Sequence, residues 1–130
     1  MRHWKLLRFS GEESIMSDPR EILAELEILA SSNEPTADLI SESGDYLTIS
    51  ISGTFALIIF HQASLDPPYL SPVVAPQGIV PEEAHVESTI GGTPTPVSRN
   101  RCVSIATMLE IVRHYLERGK LPSWVEWENQ

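Results

Sequence analysis

The residues able to do chemistry in this chain are four histidines, one cysteine and eighteen carboxylates, and their spacing decides what they can do. His3, His61, His85 and His114 lie far apart, none belongs to an HExxH pattern, and none has a second histidine three or four positions on. No helix face could therefore offer two imidazoles to a zinc ion, so isolated histidines and no metal site are expected. Cys102 stands alone, which excludes an internal disulfide framework and a cysteine-rich zinc site. With no histidine and asparagine partners in local sequence, it reads as a small buried hydrophobe. Gly91-Gly92 has neither a following helix nor a lysine, so it is a tight turn rather than a phosphate loop. No Gly-x-Ser-x-Gly elbow occurs. Glu82-Glu83 and the Glu126/Glu128 pair are clustered carboxylates. A general acid needs a desolvated pocket to raise its pKa, and both clusters lie among polar neighbours. Catalytic residues and cofactors are therefore not expected.

Binding is the chemistry that remains. Asp66, Tyr69, Glu82, Glu83 and Glu87 fall in or beside a proline-rich stretch, placing an aromatic among carboxylates with no local cation. Such a mixture suits protein recognition, with the ring as anchor and the carboxylates setting rate and specificity. The net charge is −9, and not one Lys or Arg occurs between Arg20 and Arg99. A field of that sign attracts cationic partners and repels phosphate backbones, which argues against a nucleic-acid binder. No apolar run approaches the roughly 20 residues of a membrane helix. Residues Met1 to Ser10 carry Arg2, Lys5 and Arg8 without a continuous apolar stretch or a small-residue cleavage site. A cytoplasmic protein without membrane contact is expected.

The elements that must position these residues fit one domain over the 130 residues. A weak strand is expected over His3 to Phe9. Asp18, Pro19 and Glu21 open a first helix, with Ile22, Leu23, Leu26, Leu29 and Ala30 on its apolar face and Glu21, Glu25 and Glu27 towards water. An edge-like segment follows at Asp38 to Glu42. Tyr46 to Ser52 alternates strictly, as a strand wet on one side does, and returns through Gly53-Thr54 to a more buried strand, Phe55 to His61. Ala63 to Pro81 holds five of the ten prolines (Pro67, Pro68, Pro72, Pro76 and Pro81) and reads as a long irregular loop. Ala84 to Ile90 forms a third strand and Thr93 to Ser98 an extended segment. Ser104 caps a second helix whose buried stripe is Ile105, Met108, Leu109, Val112 and Leu116, with Gly119 in the left-handed position beyond its end. Ser123 to Glu128 closes the chain as a strand, with Val125 and Trp127 on its inner face. The order implies an α+β fold, an antiparallel sheet with two main helices packed on it.

From Cys102 to Glu128 (CVSIATMLEIVRHYLERGKLPSWVEWE) the chain resembles the C-terminal signature of the first-numbered immunity-protein family of bacterial polymorphic toxin systems. The resemblance lies in the amphipathic helix Ser104 to Arg118, then Gly119, Pro122 and the strand Val125-Glu126-Trp127. It extends more weakly to Asp45 to His61 and to Thr89-Ile90-Gly91-Gly92. It implies a non-catalytic inhibitor whose partner is a cognate toxin domain, in this family often a nucleic-acid deaminase and sometimes a nuclease. Neutralisation would then proceed by covering the toxin's active site or its basic substrate groove. The proline-rich middle departs from the family pattern, so no contact residues carry over. Two other readings fit the composition. A small acidic secretion chaperone would be a dimer that holds unfolded segments, and a carboxylate hydrolase would need a concave pocket.

Overall fold

The structure is a computed structural model that describes residues 3–8, 11–29, 31, 36–52, 55–62, 69–73, 85–90, 93–98 and 101–129. The strands are β1 (Trp4–Arg8), β2 (Glu13–Met16), β3 (Thr36–Ser41), β4 (Tyr46–Ser52), β5 (Phe55–His61), β6 (Leu70–Val73), β7 (His85–Ile90), β8 (Thr93–Ser98), β9 (Val103–Ser104) and β10 (Glu126–Asn129). The helices are α1 (Pro19–Leu29) and α2 (Ile105–Arg118). Eight strands make one sheet in the order β10-β6-β5-β4-β3-β1-β2, with β9 paired to β5, while β7 and β8 form a separate two-stranded sheet. Every pairing is antiparallel. The α+β expectation is met.

Alternation along the strands builds the core. In β4, Leu47, Ile49 and Ile51 are fully buried. Their cross-strand partners Phe60, Ile58 and Ala56 share that face, and Leu39, Ala37, Leu6 and Trp4 continue it outward. Both helices pack on it. Ile22, Leu26 and Leu29 of α1 join Met108, Ile111, Val112, Tyr115 and Leu116 of α2 in one buried cluster. Tyr115 meets Trp4 at 5.2 Å between ring centroids and Phe60 edge-on at 6.1 Å. The helix stripe is thus wider than its sequence suggests, since Ile111 and Tyr115 are buried while Ile105 and Leu109 are only partly covered. A helix wedged between a sheet and a second helix hides more than one row.

Local signals hold at the helix ends. The Asp18 carboxylate accepts the Arg20 backbone N–H at 2.9 Å. The Ser104 hydroxyl accepts the Thr107 N–H at 3.0 Å, and Gly119 has φ 71° while its N–H donates to the Tyr115 carbonyl at 2.8 Å. A left-handed residue at that position costs glycine nothing.

Several expectations change. Residues 70–73, read as part of an irregular loop, form β6 between β10 and β5. Pro72 is tolerated because pairing with β5 is confined to Phe60↔Leu70, two residues before it, while β10 supplies partners along the other side. The segment expected at an edge is β3, flanked by β4 and β1. β2, which the sequence did not announce, takes the edge beyond β1. The closing strand is shorter than expected and begins at Glu126. Glu25, expected towards water, is part-exposed and also pairs with Arg8, whose Nη2 lies 2.7 Å from its carboxylate. The β4 face expected to be wet is buried at Ser50, whose hydroxyl lies 3.3 Å from that of Thr36. The turns at 53–54 and 91–92 lie outside the described residues, as does most of the proline-rich stretch.

Candidate functional site

The face of the sheet turned away from the helices is built in rows by the strand register. One row runs Ile15, Lys5, Ile40, Tyr46, His61 and is extended by Tyr69, immediately before β6, whose ring lies 4.8 Å from that of His61. At ~4.8 Å between strands, six positions span roughly 24 Å. A second row runs Glu13, Leu7, Asp38, Thr48, Ile59. A third, Thr36, Ser50 and Leu57, is buried, and β7 lies against β4. The first two rows are half-buried or exposed throughout, with Ile15 at 74% and Tyr69 at 37% exposure. They form an open platform of isoleucine, leucine and tyrosine.

Its centre is ordered by polar contacts. The Thr48 hydroxyl donates to Asp38 Oδ1 at 2.7 Å. The same oxygen lies 3.2 Å from His61 Nε2. Because its one proton goes to Asp38, it accepts from His61, which places a proton on Nε2. Tyr46 stacks on that imidazole with centroids 4.2 Å apart and planes 6° from parallel. Burial among these rings holds the His61 pKa below its ordinary value, with the Asp38 charge pulling weakly the other way. Burial raises the Tyr46 hydroxyl pKa, and the charges of Asp38 and Tyr69 add to this. The described cation on this face is Lys5, drawn to Glu13 at 4.0 Å. Aromatic faces beside a carboxylate, with little competing positive charge, are suited to receive a cation from a partner.

Of the binding residues expected from sequence, Tyr69 stands on this platform. Glu87 lies in β7 opposite Pro96, and Asp66, Glu82 and Glu83 lie outside the described residues. Tyr46, His61 and Asp38 were missed. The signal was present, because pairing Ser52 with Phe55 already sets Tyr46 opposite His61. Tyr69 could not be added to them without knowing that β6 pairs with β5.

Elsewhere the chemistry is sparse. Burial pushes the Cys102 thiol up to about 11, which keeps it protonated at neutral pH. Among the described residues no group of three potential ligands could hold a metal, and no helix is long and apolar enough to cross a membrane. A cavity of about 290 Å³ beside the end of α2 is lined by Trp4, Tyr115, Glu42 and Asp45 among others. Neither carboxylate cluster singled out in the sequence is among its described lining. Trp127 is partly buried against the core, its indole N–H donating to the Pro122 carbonyl at 3.1 Å, whereas Trp124 is 54% exposed.

No curated protein matches the chain. The family model described as Immunity protein Imm1 matches residues 11–129, which takes in β2 through β10, both helices and all of the platform except Lys5 and Leu7. That match covers well over half of the sequence, and the chain belongs to the Imm1 family of immunity proteins.

Proposed function

We propose that the chain neutralises a cognate toxin that acts on nucleic acid, a deaminase or a nuclease, by lying across its active site or basic substrate groove. Membership of an immunity-protein family is the observation that carries this reading. The net charge of −9 supports the choice of toxin class, since an enzyme that handles a polyanion presents a basic groove that an acidic surface complements. The open platform is the surface assigned to the contact, with Tyr69 at its rim and Asp66, Glu82, Glu83 and Glu87 as further contributors. A stable complex of this kind buries roughly 1,200–2,000 Å² in total.

The test is co-expression. The C-terminal domain of the secreted protein encoded beside this gene should kill a susceptible bacterial host when expressed alone and be tolerated with this chain. Purified together, the two should form a complex in which base conversion or cleavage of nucleic acid is abolished. A toxin domain that remains lethal and active with this chain in excess would refute the reading.

A further inference from the structure

The platform's centre combines two features rarely left open on one surface: stacked aromatic faces and a carboxylate. Tyr46 and His61 are parallel at 4.2 Å, and Tyr69 is tilted 51° to His61 at 4.8 Å. Asp38 is joined to the imidazole through Thr48, one hydrogen bond on each side of the hydroxyl. Thr48 engages one carboxylate oxygen, and among the described residues no ion pair engages Asp38. Resting on the proposed toxin contact, we infer that this cluster is a subsite for an arginine side chain of the partner, its guanidinium stacked on the Tyr46 ring and paired with Asp38.

The choice of arginine follows from shape and charge. A guanidinium is planar and weakly hydrated, so it can lie flat on an aromatic ring while its edge donates to a carboxylate; an ammonium does the first poorly and the second without a fork. The subsite is pre-assembled. Thr48 and the ring stack hold Asp38 and the tyrosines in place before the partner arrives, which reduces the ordering cost of binding. His61 donates its Nε2 proton to Thr48 and remains the uncharged middle layer of the stack. An apolar occupant would strand the Asp38 charge beneath it, and an anion would meet that charge directly.

Two arms separate this subsite from the toxin reading. In the first, the isotope-labelled protein is titrated with N-acetyl-arginine amide and, separately, N-acetyl-lysine amide, following backbone NMR shifts. Saturable shifts centred on Tyr46, Thr48, His61 and Tyr69 are expected with arginine, and at least about fivefold weaker binding with lysine. Asp38→Asn keeps an acceptor for Thr48 and so should preserve the fold while abolishing the arginine response. No saturation, equal response to lysine, or an unchanged response in Asp38→Asn would each overturn the subsite. In the second arm, Asp38→Asn and Tyr46→Leu are measured against the neighbouring gene's toxin domain, with affinity losses on the order of tenfold expected. Tight toxin binding unaffected by both variants overturns the subsite alone. An intact arginine response with no toxin binding overturns the toxin reading and supports the subsite.

Discussion

His61 illustrates how one residue links the interior chemistry of the platform to a measurable property. Its folded pKa lies below the ordinary 6.5, chiefly because burial disfavours the imidazolium. The unfolded chain therefore binds the proton more readily than the native one. The stability tied to the neutral ring is complete above the unfolded value and is lost as pH falls from there through the folded pKa. Denaturation by urea at about pH 7.5 and about pH 5.5 should show this loss in the native sequence and less of it in His61→Gln. Equal losses in the two proteins would show that the ring carries no such linkage. Identities alone did not reveal this role. A lone histidine in a strand is unremarkable until its cross-strand partner is a tyrosine and its diagonal neighbour a threonine held by Asp38.

At the scale of elements, the features legible in sequence are those whose causes are local. The α2 cap needs only Ser104 and Thr107, three residues apart, and its end needs only Gly119. Ser104→Ala removes the acceptor for the Thr107 N–H and should cost about 1 kcal/mol, read as a lower urea midpoint with an unchanged slope. The β4–β5 hairpin was equally legible, because strict alternation fixes both strand and face. β6 was not, because a strand containing Pro72 forms only when β10, more than fifty residues further on, supplies its partners. β3 and β2 show the same limit. Whether a strand is interior or at an edge depends on neighbours that its own residues do not name.

For the whole molecule, the main core and the proposed contact surface lie on opposite faces of the sheet, and two substitutions should separate them. Leu26 is fully buried between the helices and sheet, so Leu26→Ala should cost about 3 kcal/mol of stability. Tyr69→Ala should leave the denaturation midpoint nearly unchanged and weaken toxin binding by roughly tenfold or more, measured by calorimetry. Charge acts at this scale too. With a net charge of −9, association with a basic toxin should slow steeply as salt is raised. Charge reversal at Glu82 and Glu83 should lower both the rate and its salt dependence in stopped-flow mixing; unchanged kinetics would remove those residues from the contact. The sign and scale of this field were readable from composition. The place where it meets aromatic side chains was not, because that depends on a register joining β3, β4, β5 and the approach to β6.

The alternation in β4 has a consequence for how such a protein can diversify. Leu47, Ile49 and Ile51 face the core while Tyr46 and Thr48 face the platform, so consecutive letters of one short segment answer to different demands. Tyr46 and Thr48 can therefore be substituted without repacking the interior, whereas Ser50, buried on the same face, cannot. The spacing is not open in the same way. A one-residue slip between the two strands would exchange the two sets, sending the platform inward and the core outward. The platform face can thus change by substitution, whereas insertions and deletions within the paired strands would disrupt both faces at once.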